Sequence, residues 1–172
     1  MKKLFGIIWV KMSNLMSNLK ERILGLDYGD RTIGVAVSDP LGIMALGVET
    51  IRREKENALR ASFRRLQVLI DEYTVGTIVL GLPKNMNNTM GERCTKTLAF
   101  KEQLEKKIYG VPVIMWDERL STAGARRTLS KKFSGASEKA VIDEMAAVYI
   151  LQGYMDFAAH KIKEAEHNDN GI

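Results

Sequence analysis

Ile23-Leu24-Gly25-Leu26-Asp27-Tyr28-Gly29, followed after Asp30-Arg31 by Thr32-Ile33-Gly34-Val35-Ala36-Val37-Ser38-Asp39, decides the reading of this chain. Two runs rich in aliphatic and β-branched residues flank a Gly/Asp turn, which is the pattern of a β-hairpin. The first run climbs to a single carboxylate, Asp27, at the point where a strand stops and a site can begin. Neighbouring glycines let a ligand approach the backbone, and a carboxylate there suits a hard cation or a phosphate. The alternative is local, since Asp often serves only to close a turn.

Outward from the hairpin the pattern stays regular. Strands are expected near 22–28, 32–39 and 43–51, with Pro40-Leu41-Gly42 between the last two. Ala58, Ala61, Leu66, Leu69, Ile70 and Tyr73 recur among charges at the 3.6-residue rhythm of an amphipathic helix over 54–73. Gly76–Leu82 is a continuous apolar run, typical of a strand buried on both faces, and Pro83 stops it. A polar loop, 84–91, leads into a second amphipathic helix over 92–109. Val111–Trp116 is a further strand ending in Asp117-Glu118-Arg119. Ser121 or Thr122 caps a short helix to about 130, and a long helix is expected from about Glu138 to His160. Right-handed crossovers then place the later strands parallel to the first. The expected fold is α/β: a five-stranded mixed sheet, three antiparallel strands then parallel ones, with helices on both faces.

One hundred and seventy-two residues, 45% of them hydrophobic, suit one globular domain with a sizeable core. The expected domain spans 22–160, with a charged, frayed tail at 161–172. Residues 1–21 are set aside as an extension, disordered or a mis-called start. Met1-Lys2-Lys3 and the apolar run Leu4–Val10 resemble the opening of a signal peptide, but Lys11 ends the run and no small-residue cleavage site follows. No segment is long enough to span a bilayer. Cys94 is the only cysteine. It reads as a passive thiol in a reducing compartment, which points to the cytoplasm. The net charge of +5 leans toward a polyanionic partner.

Three acidic positions share one logic. Asp27 ends the first strand, Asp117 and Glu118 end the last, and ligands of open α/β sheets collect at the carboxyl ends of strands. Asp143 lies in the final helix, with Ala140, Ala146, Ala147 and Ile150 on its own face. A carboxylate in such surroundings is expensive unless paired or bound to metal. Glu144 reads instead as a favourable charge near a helix N-terminus. The only histidines, His160 and His167, stand far along the chain, so clustered carboxylates favour Mg²⁺ or Mn²⁺ over zinc. Divalent ions held by carboxylates are a standard device for in-line attack of water on a phosphodiester. Arg31, Lys84, Arg93, Arg119, Arg126 and Arg127 surround these acids in the expected fold and suit a phosphate backbone. Arg119 adjoins the acidic pair and is placed to orient it or to meet a phosphate. The loop with Lys84 and Asn85 reads either as a substrate contact or as a plain entry to the helix that follows.

Leu26-Asp27-Tyr28-Gly29 through Ser38-Asp39-Pro40, Val79–Met86, Trp116–Thr122, and Asp143–Ala147 with Ile150-Leu151-Gln152 together resemble the YqgF/RuvX family, similar to Holliday junction resolvases. The resemblance covers about residues 22–158 and rests on four motifs in order. It implies an RNase H-like fold and a metal-dependent nuclease that processes the 5′ end of precursor 16S rRNA in ribosome biogenesis. An earlier proposal for the family is cutting of four-way DNA junctions. It also implies that Asp27, Glu118 and Asp143 hold Mg²⁺ or Mn²⁺ and are catalytic, with Asp117 in support. The wider resolvase group carries an acid at the end of the fourth strand, where this chain reads Gly81-Leu82-Pro83. The Asp117/Glu118 pair would have to substitute, with Glu118 the favoured ligand and Asp117 closing the turn. The implied partner is a structured rRNA precursor or branched DNA, bound by a monomer or weak homodimer. Two rivals stand beside this reading. A phosphotransferase of the actin/hexokinase type also begins with Asp-x-Gly, but needs two such halves. A non-catalytic ribosome assembly factor would suit the charge balance equally.

Overall fold

The structure, a computed structural model, describes residues 21–83, 91–117 and 136–169. Five strands form one sheet: β1 (Arg22–Tyr28), β2 (Thr32–Ser38), β3 (Ala45–Arg52), β4 (Val75–Leu82) and β5 (Val113–Asp117). The order is β3-β2-β1-β4-β5. β1–β2 and β2–β3 are antiparallel, while β1–β4 and β4–β5 are parallel. Helices α1 (Arg60–Tyr73) and α2 (Glu92–Lys107) precede β4 and β5, and α3 (Ala136–Asp169) closes the chain's described part. The expected mixed sheet with helices on both faces is therefore the observed one.

Strand alternation divides the core. Leu24, Leu26 and Tyr28 of β1, with Ile33, Val35 and Val37 of β2 and Ile78 and Leu80 of β4, pack against Phe63, Leu66, Leu69 and Ile70 of α1 and Phe100 and Leu104 of α2. The intervening positions face α3, where Ala36, Ala147, Leu151 and Met155 form a second cluster and Val79, Trp116 and Ile150 a third. This second face is built from small residues, so α3 lies close. A Cβ on Gly25 would stand 2.6 Å from the Leu151 Cβ and 3.1 Å from the Ala147 carbonyl oxygen. On Gly34 it would stand 2.6 Å from the carbonyl carbon of Asp143 and 3.2 Å from the Glu144 nitrogen. Two glycines on adjacent strands thus let helix backbone rest on sheet backbone.

Several element boundaries differ from the sequence reading, and three of the differences have a visible cause. β3 begins at Ala45 because Asp39 closes the preceding loop, its Oδ1 accepting from the Ile43 and Met44 nitrogens at 2.6 and 3.0 Å. α1 begins at Arg60, since residues 53–59 turn back and Arg53 bonds the Glu56 carbonyl. α3 does not fray after His160 but continues to Asp169. Glu164 helps to hold this extension, pairing with His160 at 3.3 Å and Lys161 at 2.7 Å, spacings that support an exposed helix. Among the described residues no helix is long and apolar enough to cross a membrane.

Candidate functional site

β1, β4 and β5 run parallel, so Tyr28, Leu82 and Asp117 end at one edge of the sheet. Asp27 stands there, one residue before the end of the middle strand, and is 5% exposed. It shares the parity of Gly25, which places it on the α3 face. Across the antiparallel ladder its partner is Gly34, the residue over which the Asp143 backbone rests. That contact brings α3 down on the strand beside Asp27 and seats the second carboxylate next to the first. Asp27 and Asp143 line one cleft of about 490 Å³ with Gly29, Asp30, Arg31, Thr32 and Arg93. One Asp143 oxygen, Oδ2, is buried with no hydrogen-bond partner.

The hairpin that carries Asp27 is braced from behind. The Arg53 guanidinium donates to the Tyr28 hydroxyl at 3.1 Å, to the Glu56 carbonyl at 2.8 Å and to the Gly29 carbonyl, and lies 4.7 Å over the Tyr28 ring. Tyr28 in turn stacks on Phe100 of α2 at 4.2 Å between ring centroids. Within the turn the Gly29 nitrogen donates to the Thr32 carbonyl at 2.9 Å. On its outer side Lys96 of α2 meets Asp30 at 3.7 Å, and Glu56 and Glu92 at 2.9 Å each. Its hydrogen bonds with Glu56 first, then Glu92, raise the ammonium's pKa above the ordinary lysine value. Strand, turn and both helices therefore fix the position of Asp27.

Of the residues singled out in the sequence, the cleft brings together Asp27, Asp143, Arg31 and Arg93. Asp117 closes β5 with the parity of Val113 and Met115, which pack against the α1/α2 core, so alternation puts it on the face opposite Asp27. Glu118, Lys84, Asn85, Arg119, Arg126 and Arg127 lie outside the described residues. Among the described residues no three His, Cys, Asp or Glu side chains form a metal-holding group. Cys94 is buried, as befits a passive thiol. The apolar surroundings expected of Asp143 hold on its α3 face, where Ala146, Ala147 and Ile150 are buried, although Val141 is half exposed. Sequence reasoning missed Arg53, which no pattern separates from Arg52 beside it. It also missed Asp30 and Thr32 as cleft residues, though both lie within the turn that raised the question.

A family model described as "RuvX: Holliday junction resolvase" matches residues 21–157. The chain belongs to the RuvX family. RuvX relatives are close: a protein of Agathobacter rectalis named "Putative pre-16S rRNA nuclease" is 50% identical over 140 residues, covering 81% of this chain and 97% of its own length. Relatives of the same name from Desulfitobacterium hafniense (51% over 141 residues, 81% and 95%) and Thermoanaerobacter pseudethanolicus (49% over 142 residues, 81% and 99%) match as well. Among solved structures, T. thermophilus RuvC in complex with Holliday junction substrate superposes with a TM-score of 0.56 at 15% identity, over 82% of this chain and 96% of that one. That likeness is one of fold, and it confirms the RNase H-like architecture. RuvX membership places the chain among nucleases.

Proposed function

We propose that this RuvX protein is a metal-dependent endonuclease that trims the 5′ end of precursor 16S rRNA. The observation that carries the reading is one cleft lined by three carboxylates, Asp27, Asp30 and Asp143, the last with a buried, unpartnered oxygen, and by two arginines. A buried carboxylate oxygen without a hydrogen bond is costly in the protein alone, and a cation removes that cost. The donors are all oxygen, which fits Mg²⁺ or Mn²⁺. Asp27 and Asp143 would hold the ion, joined by Glu118. Asp117, on the other face, serves the turn. When bound, divalent metal supplies an acidified water and a positive charge for the pentacoordinate phosphate. The chain's own residues do the rest. Arg31 and Arg93 pair with non-bridging phosphate oxygens, and the buried strand end fixes Asp27 so that no reorganisation is needed during reaction. Water adds to phosphorus, the bond to the 3′ oxygen breaks, and a 5′-phosphate and 3′-hydroxyl result. The names of relatives at about half identity support the rRNA precursor as substrate.

The test is cleavage of a labelled precursor 16S 5′-end RNA and of a four-way DNA junction, with Mg²⁺, Mn²⁺ or EDTA, by the wild type and by Asp27→Asn and Asp143→Asn. Metal-dependent cutting of the RNA alone, lost in both folded variants, is the expected result. Cutting of the junction instead reassigns the substrate. Cutting that persists in EDTA or in Asp27→Asn refutes the carboxylate–metal reading.

A further inference from the structure

A second hollow, of about 550 Å³, lies between α1 and α2 on the face of the sheet away from α3. Its polar wall is cationic: Arg60, Arg64 and Lys107 line it with Asn57, Gln67 and Gln103, and no carboxylate among the described residues lines it. The pairing of charges on these two helices is selective. Arg65, one residue from Arg64, makes a two-pronged contact with Glu49 at 2.8 Å for each prong. Lys101 pairs with Glu105 at 2.6 Å, and Lys96 with three acids. The three cations of the hollow make no ion pair with any described residue. Arg60 moreover opens α1, whose first turn has no acidic residue and whose N-cap, Leu59, offers no side-chain bond. A cation at the positive end of a helix opposes the dipole. Like charges gathered without partners leave a strong local potential for an anion.

The hollow is also linked to the catalytic cleft. Arg93, Lys96, Phe100, Gln103 and Lys107 follow one another at spacings of three and four residues, one stripe along α2. Arg93 lines the cleft and Lys107 the hollow, about 21 Å apart at 1.5 Å per residue. A further depression lined by Tyr28, Glu56, Lys96 and Phe100 shares Asn57, Leu59 and Gln103 with the hollow and extends it toward the cleft, whose Asp30 meets Lys96. Lys96 in the middle faces three carboxylates, so attraction for an anion is confined to the two ends of the stripe, Arg93 and Lys107, which make no ion pair with a described residue.

We infer that this hollow is a second anchor for the sugar–phosphate backbone of the RNA that the cleft cuts, gripping the strand about 20 Å from the scissile bond. The inference rests on the endonuclease reading for the identity of the strand. A strand is favoured over a small anion because the cationic charges are divided between two places about 20 Å apart on one stripe of α2, which only a polyanion can occupy together. Phosphate contacts of this kind position a substrate without reading its sequence. They set affinity for substrates long enough to reach, and leave short ones unaffected.

Binding is measured by fluorescence anisotropy in EDTA, on an Asp27→Asn background, so that neither metal nor cleavage enters. The probes are a long precursor RNA and a short oligonucleotide spanning only the scissile site. The Arg60→Ala/Arg64→Ala/Lys107→Ala protein should bind the long RNA about tenfold or more weakly, and the slope of log Kd against log salt should fall by about 2, near 0.7 for each lost contact to a single strand. Binding of the short probe should not change, and circular dichroism should show the same fold, all three positions being exposed. Arg65→Ala, beside the hollow but facing Glu49, should leave the salt slope as it is. An unchanged affinity and slope for the long RNA overturns the inference, as does equal weakening of the short probe. Perturbation of the hollow's NMR signals by inorganic phosphate, with none from the long RNA, overturns it in favour of a small anion. If the wild type cuts nothing in the presence of metal while the groove variant still loses long-RNA binding, the endonuclease reading fails and the anchor stands.

Discussion

Gly34→Ala is the sharpest probe of how the site is assembled. The new methyl would sit 2.6 Å from the Asp143 carbonyl carbon, nearer still to its oxygen, whereas ordinary contact begins at 3.4 Å. The obstacle is helix backbone, which no rotamer change removes, so α3 must retreat by more than the ~0.8 Å that the carbonyl carbon alone requires. Overpacking of this kind costs about 1–3 kcal/mol, which for a chain of this size lowers Tm by about 2–12 °C. The retreat also carries Asp143 away from Asp27, and a misplacement near 1 Å costs about 10²-fold in rate. Gly42→Ala supplies the comparison. Gly42 has φ of +69° and nothing within 4 Å of the added methyl, so it strains only its own turn, by about 1–2 kcal/mol. Calorimetry and single-turnover cleavage of both variants at 20 °C, where each is folded, should show two losses of stability but only one of activity. A folded Gly34→Ala protein that cuts at the wild-type rate would refute the argument that backbone contact sets the spacing of the carboxylates. Equal losses of activity in both would refute it too.

Three further outcomes follow from side chains that brace the fold. Arg53→Ala removes three hydrogen bonds, two to the hairpin and one to the loop after β3, and should lower stability by on the order of 2–3 kcal/mol, with cleavage reduced even where the protein is folded; chemical denaturation and kinetics at low denaturant check both. Asp39 accepts the Met44 and Ile43 N–H groups, Met44 contributing most, and these bonds hold its carboxyl below the ordinary value of 3.8. Its folded form is thus the weaker proton acceptor, so its stabilisation is present above pH 3.8 and lost as pH falls through the lower native value; Asp39→Asn should flatten that acid limb in pH-dependent unfolding. Gln152, whose amide accepts from the Ala45 nitrogen at 2.9 Å and donates to the Ile43 carbonyl at 3.0 Å, ties α3 to the start of the edge strand; Gln152→Ala should cost about 1 kcal/mol, read by thermal melts, and leave cleavage intact.

The strands and their order were legible because each carries a short apolar run bounded by Gly, Pro or Asp, and because βαβ crossovers have one hand. Asp27 and Asp143 were legible for a different reason: each is a carboxylate where an apolar pattern asks for none. What the sequence did not disclose is the use of small residues on the α3 face. The glycines near Asp27 read as room for a ligand, not for a helix, since the partner that needs Gly25 and Gly34, the chain near Asp143 and Leu151, is more than a hundred residues away. Arg53 was hidden likewise, because its three acceptors are brought together only by the turn and the loop after β3. The start of α1 was misjudged since helical periodicity extends back through residues whose backbone folds around that arginine. The sidedness of Asp117 follows from strand parity, which could have been counted once the last strand was placed.

β1 is the middle strand of five, hydrogen-bonded along both edges. Fraying of a sheet begins at its margins, and the innermost amides open only when the whole domain does. Asp27 therefore rides on the part of the molecule with the longest residence in its native place, while the helix that brings Asp143 is laid on from outside. The two carboxylates belong to different kinetic classes: one is kept until global unfolding, the other can depart whenever α3 lifts. Loss of catalysis on warming should accordingly record the departure of a helix, ahead of the melting of the sheet.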